Sequence, residues 1–500
     1  MGKNKATRLH ELIQALSPAE KKYFHLNIGK FHPKEGNKQL LLFQTINKHK
    51  NYNKEAIETA YTKARYTPKH LPTDHNKLYN SVLDSIRDFN VDNAAESKLY
   101  DSIQKITILF EKKLFDHALK LIDRSKKTAY QYEIYGALIN LISLEQRILK
   151  VLGKIDEALA LIDEQQAVWK QQELFNQMIK LHYQSIKLRI SLSKARDEGR
   201  LNQLEELLQN PVLKKANPSS FWIEFHRLET YCNYHFIKDE QEQELFYNQQ
   251  LIKLYQQYHW FQQDQPLNYL VIHTRFLAIK RHLHPQQFEK ALQEYRQLGN
   301  NLKKQKREAQ STIFIFSYNY ELDNYLKQRA WKKALNLIPT MEKGLKKHYN
   351  LIRDALIVGS YHRFAHAFFF NQDYSNALKY ILKIQNDFSP TVRPDVYYFA
   401  FLFQIITHYE LGHYKLLPYL IKTAKYHLDK HKSLHKVEAL TMLYLKKLSK
   451  ELPTTKSIQL FQNFEQELSM LLKDEYESRI LQIFDLLAWI QSKTGSNSPK

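Results

Sequence analysis

Between His284 and Leu378 the apolar positions fall into one short pattern that comes round three times. It reads Phe288-x-x-Ala291-Leu292, Trp331-x-x-Ala334-Leu335 and Tyr374-x-x-Ala377-Leu378, with successive alanines 43 residues apart. A fixed period of this size predicts stacked helix pairs, because one pair cannot bury its apolar face alone and needs a neighbour on each side. Two earlier copies keep the small residue, Phe115-x-x-Ala118-Leu119 and Ile155-x-x-Ala158-Leu159. Leu201-x-x-Leu204 and Tyr414-x-x-Leu417 are degenerate copies. In each copy the bulky residue is expected to open the second helix of a pair and wedge against the first. The alanine three positions on lies on the same face and permits close approach. A Gly or polar residue just before the pattern allows the reversal.

Outside that register, the first hundred residues predict a separate helical cap domain, 1–96, ahead of a repeat domain, 97–493, and a disordered tail, 494–500. Ser17-Pro18-Ala19-Glu20 carries a capping box, with Pro18 suited to the first helical position. Helices are expected over Arg8–Leu16, Pro18–Leu26, Gln39–His49, Lys54–Lys63 and Asp74–Phe89. The repeat domain is expected to start with a first helix over Lys98–Lys113. It ends with a pair over Ser433–Lys450 and Thr455–Leu472, closed by a helix over Glu475–Ser492.

The aromatic-x-x-Ala-Leu signature after a turn resembles the start of the second helix of a tetratricopeptide repeat, over roughly residues 97–472. These units are longer than that repeat, and the Gly-x-x-Tyr element and closing proline of the family are mostly missing. The opening Leu16-Ser-Pro-Ala-Glu-Lys-Lys-Tyr-Phe24 is similar to the start of a group of uncharacterised bacterial helical-repeat proteins. Neither resemblance implies an activity.

Composition agrees with an all-α chain. Only 11 Gly and 14 Pro punctuate 500 residues, too few turn glycines for an all-β or α/β protein of this length. The single cysteine, Cys232, excludes a disulfide framework and a Cys-based zinc site. The opening residues lack a secretory h-region, and Ala6 stands where a myristoylation motif needs Ser or Thr. No uncharged run is long enough to span a bilayer, so the cytosol is the expected location. The formal net charge is +22, concentrated in residues 1–50, 301–350 and 411–450. Such patches either attract anions or simply solvate helix exteriors.

Candidate chemistry is sparse. No phosphate loop, dinucleotide fingerprint or nucleophile elbow occurs, so no enzyme activity and no cofactor is assigned. His427, His431 and His435 have i, i+4, i+8 spacing, but Ser433 reads as the cap of a new helix and breaks the alignment. His362-x-x-x-His366 lacks the glutamate of a zinc protease, since Arg363 follows the first histidine. No metal site is assigned. Cys232 reads as a small core residue. Phe221-Trp222-x-x-Phe225, Phe368-Phe369-Phe370 and Tyr397-Tyr398-Phe399 divide between core packing and a partner groove. The helix 74–89 is acidic on balance, which argues against its being a DNA reader.

The expectation is therefore a right-handed α-solenoid of about nine helix pairs, acting as a cytosolic scaffold that holds a segment of an acidic partner protein on its concave face. The alternative is a protein that binds RNA or DNA non-specifically through its basic patches. Lys303, Lys304, Lys306 and Arg307 are the candidate partner-binding residues in either case. Nothing points to a membrane.

Overall fold

The computed structural model describes residues 5–31, 37–49, 51–90, 94–192, 205–214, 220–301, 306–430, 434–450, 455–474 and 477–494. Among the described residues all regular structure is helical, and no strand occurs. The chain forms two compact units, Met1–Ile272 and His273–Lys500.

The first unit opens with α1 (Lys5–Ala15), α2 (Pro18–Phe31), α3 (Lys38–Lys48), α4 (Lys54–Lys63) and α5 (Leu71–Asn90). These enclose a core of their own, built on Leu9, Ile13, Phe24, Phe43, Tyr61 and Val82. The capping box forms as its sequence requires. The Ser17 amide donates to Glu20 Oε2 at 2.7 Å, and the Glu20 amide donates to Ser17 Oγ at 3.3 Å. Asn37 and Asn53 cap α3 and α4 with their side-chain oxygens. The expected domain boundary lies at 96/97; a core cluster joins α1–α5, and the compact units divide at 272/273.

The first unit continues with α6 (Ala95–Glu111), α7 (Phe115–Gln131), α8 (Tyr135–Val151), α9 (Ile155–Leu192), α10 (Pro211–Lys214), α11 (Phe221–Lys238), α12 (Gln241–Gln257) and α13 (Trp260–Asp264). The division falls inside α14 (Pro266–Leu283). The second unit then runs through α15 (Phe288–Asn301), α16 (Lys306–Lys327), α17 (Trp331–His348), α18 (Asp354–Phe370), α19 (Tyr374–Asp387), α20 (Pro394–Glu410), α21 (Leu417–Lys430), α22 (Lys436–Leu448), α23 (Thr455–Leu471), α24 (Ile480–Ile483) and α25 (Leu486–Thr494). Consecutive helices pack side by side, as in α6 with α7, α18 with α19 and α20 with α21.

All five copies of the pattern begin a helix on their bulky residue: Phe115, Ile155, Phe288, Trp331 and Tyr374 are each the first residue of α7, α9, α15, α17 and α19. Ala118, Ala334 and Ala377 are fully buried, while Ala158 and Ala291 are half-buried. Trp331 stacks on Phe370 with ring centroids 5.1 Å apart, and Tyr374 meets Phe369 edge-on at 5.2 Å. Ile155 differs, being 51 % exposed. In that copy α9 does not stop after one helix length but runs on for 38 residues, packing against both α8 and α11. Leu201 and Leu204 lie outside the described residues. Tyr414 starts a short 3-10 turn, and α21 begins at Leu417.

The turns share one geometry. Lys113, Glu133, Gly153, Asp239, Arg329, Gln372 and Gly412 all have positive φ, and each stands two residues before the next helical element. Around Gln372, its amide donates to Phe369 O and the Asp373 amide donates to Phe368 O, both at 2.9 Å. The same two bonds recur at Lys113 and Gly412. This is a Schellman closure, which satisfies the last carbonyls of the outgoing helix.

Candidate partner-binding faces

In each unit the first helices of neighbouring pairs touch one another: α6 reaches α8, α16 reaches α18, α18 reaches α20, and α20 reaches α22. Two of them, α16 and α18, are tied by charge to each other and to α14. Asp323 on α16 accepts from Arg363 on α18 through both oxygens, at 2.6 and 3.0 Å, and from Arg281 on α14 at 2.8 Å. Burial would raise the Asp323 carboxyl, but Arg363 and then Arg281 outweigh it and hold the carboxyl at about 2.

The side of α18 and α20 that carries His362, His366, Phe399 and Phe403 is covered by the chain's own C-terminal segment. Phe484, fully buried, sits 4.9 Å from Phe403, 5.0 Å from His366 and 5.5 Å from both Phe369 and Phe370. His362 Nε2 donates to Ile483 O at 2.9 Å, and burial pushes this histidine down to about 4. His366 is driven well below its ordinary value, first by burial and then by His362. Both imidazoles are neutral at pH 7. Further along, Trp489 Nε1 donates to Glu410 Oε1 at 2.7 Å, and Lys493 pairs with the other oxygen of the same carboxylate at 2.8 Å. Glu477 accepts from the Lys436 and Val437 amides and so caps α22.

Ile480, Phe484, Leu486, Trp489 and Ile490 are all buried by this seating. At about 1.5–3 kcal/mol for each fully buried side chain, the segment is a permanent resident rather than a loose flap. The face it occupies is thus apolar and aromatic, of the kind that holds an amphipathic helix.

The basic windows map elsewhere. On α17 the exposed cations are Lys332, Lys333, Lys343, Lys346 and Lys347; on α21 they are Lys422, Lys425 and Lys430. Among the described residues none of these lysines forms an ion pair. Lys303 and Lys304 lie outside the described residues. Lys306 opens α16, and Arg307 follows it as an exposed residue in the first turn.

No family model matches the chain, and no curated protein matches it.

The remaining candidates fall into packing positions. Cys232 is fully buried on α11. Phe221 and Phe225 are buried, and Phe221 stacks on Phe261 at 3.9 Å. Phe369, Tyr398 and Phe399 are buried, while Phe368, Phe370 and Tyr397 are half-buried. Phe370 therefore does line a groove, but one filled by Phe484. His427 stacks on Phe401 at 4.7 Å, His435 precedes α22, and His431 lies outside the described residues. Among the described residues no cluster of three or more His, Cys, Asp or Glu side chains is placed to hold a metal ion, and no helix is long and apolar enough to cross a membrane. The sequence reading missed the C-terminal seat altogether; the signal available was the apolar spacing of Phe484, Leu487 and Ile490 ahead of a polar tail.

Proposed function

We propose that the chain is a cytosolic protein-binding scaffold, a right-handed α-solenoid of tetratricopeptide-like helix pairs with an N-terminal helical cap. Its first helices form the concave layer, which takes a segment of a partner protein. The observation that carries this reading is the seating of the C-terminal segment on α18 and α20. A stretch remote in sequence lies on the first-helix side and is held by an aromatic anchor, which is how such faces grip a helix from another chain. The first-helix contacts across pairs support the layered arrangement. The partner is acidic, drawn toward a protein of formal net charge +22.

In the first unit the first helix α6 leaves two large apolar side chains, Tyr100 and Ile108, exposed. The test is affinity capture with the full chain from its native cell, repeated with Tyr100→Arg and Ile108→Arg together. The partner's recovery should fall by at least an order of magnitude, the scale expected when central anchors are lost. If recovery instead follows Lys343→Gln and Lys346→Gln on α17 and ignores the α6 pair, the first-helix assignment is wrong.

A further inference from the structure

The second helices of the second unit present a feature that a peptide-binding concave face does not use. On α21, Tyr419 is 67 % and Tyr426 62 % exposed. They are seven residues apart, hence on one side of the helix and about 10 Å apart along its axis. Lys422 lies between them, Lys425 flanks them, and Lys430 Nζ stands 5.9 Å from the centre of the Tyr426 ring. The only acidic residue of α21, Asp429, is exposed and forms no ion pair among the described residues. The buried side of α21, marked by Leu417, Ala424 and Leu428, faces the core, so the tyrosine and lysine stripe is the side left to solvent.

Exposed lysines, without an exposed tyrosine, recur on the two preceding second helices. α17 exposes Lys343, Lys346 and Lys347, and its one carboxylate, Glu342, is already engaged as acceptor for the Tyr380 hydroxyl at 2.8 Å. On α19, Lys379 is exposed and Lys383 lies over Tyr361 and Tyr380. Three successive second helices therefore offer unpaired ammonium groups with little acid among them.

We infer that the solvent side of α21, extended by α19 and α17, binds single-stranded nucleic acid, with Tyr419 and Tyr426 stacking bases and the lysines taking phosphates. An acidic protein would satisfy the charge but gives no reason for two flat rings to stand uncovered beside it. A single strand supplies both partners at once, a phosphate for each ammonium and a π-face for each ring. Lysine rather than arginine on these helices means point-charge contacts without forked base readout, so binding should be tolerant of sequence.

The test uses the intact chain and dye-labelled oligo(U) and oligo(dT) of about 20 nucleotides, enough to cover more than one site of the usual single-strand size. Fluorescence anisotropy should report binding at low salt that weakens steeply as salt rises. Tyr419→Ala with Tyr426→Ala should weaken it about 25-fold or more, from about 1 kcal/mol or more per stacked base. Lys422→Gln with Lys425→Gln should reduce the slope of log affinity against log salt by about 1.4, at about 0.7 per phosphate contact. Lys112→Gln with Lys120→Gln, exposed lysines of the first unit, should change neither value. Circular dichroism should be unaltered throughout, since every substituted side chain is exposed. The inference is overturned if neither oligonucleotide binds, if the tyrosine pair leaves affinity unchanged, or if poly-glutamate of matched charge binds as tightly and is lost with the same variants.

Discussion

Replacing Lys113 or Gln372 with glycine should stabilise the protein, an unusual direction for a substitution that removes a side chain. Both residues hold the left-handed position of a Schellman turn, with φ of 57° and 64°. A side chain in that conformation costs about 1–2 kcal/mol, because Cβ crowds the following carbonyl oxygen. Glycine removes that strain, but its greater freedom in the unfolded chain gives back about 0.5–1 kcal/mol. Both side chains are exposed and appear in no hydrogen bond or ion pair among the described residues, so nothing else is lost. The net gain is about 0.5–1 kcal/mol for each. One position lies in each compact unit, so calorimetry can follow the thermal transition of either. Gly153→Ala and Gly412→Ala, at φ of 73°, should move the same transitions down by about 1 kcal/mol. Glu133→Gly is the discriminating control. Its φ of 54° lies in the same left-handed region, but its carboxylate accepts from Ser220 Oγ at 2.7 Å and from the amides of Phe221 and Trp222 at 2.6 and 3.1 Å. Losing that cap of α11 should outweigh the relief of strain and destabilise by about 1–3 kcal/mol. If Lys113→Gly and Gln372→Gly destabilise while the two alanine variants are neutral, the turn argument is refuted.

Phe484→Ala should cost about 3–5 kcal/mol in the second unit, since a whole ring leaves a filled aromatic site; chemical denaturation checks it. Asp323 has a depressed folded carboxyl, so its stabilising contribution is present above about pH 4 and is lost as pH falls toward about 2. Asp323→Asn should therefore flatten the acid limb of the stability profile between those values, read by urea midpoints across pH. A Cβ added to Gly344 would overlap the Phe314 ring, so Gly344→Ala should destabilise by about 1–3 kcal/mol, and Gly344→Ala with Phe314→Leu should recover part of it.

Much of the helical outline could be read from the residues, because the bulky opener and the capping motifs are local. The Ser17–Glu20 box forms as its residues require, and α4 has the expected limits, Lys54–Lys63. The turns were harder: only Gly153 and Gly412 among the seven positive-φ turn residues named above announce themselves as glycine. The length of α9 was legible for the opposite reason, since no Gly or Pro stands between Ile155 and Leu192 to divide it. The closing helix was expected to be continuous, but it breaks at Phe484 and Asp485. There Phe484 turns into the aromatic site and Asp485 Oδ1 accepts from the Ala488 amide at 3.1 Å to start α25. The pairing of Asp323 with Arg281 and Arg363, 42 and 40 residues away, needs the repeat register before it can be anticipated. The candidate lysines 303 and 304 illustrate the remaining gap: charge density locates a basic window, but the exposed, unpaired cations of that window are set by which side of α17 packs inward.

The unbroken α9 has a mechanical consequence. With 38 residues it is a rod about 57 Å long, and it serves as second helix to one pair and first helix to the next. Other neighbouring helices are joined by turns, whereas here one helix runs through both pairs. Tension or torque applied at the α8 end must be felt at α11 without slack, so in single-molecule pulling this part of the first unit should yield in one step rather than pair by pair.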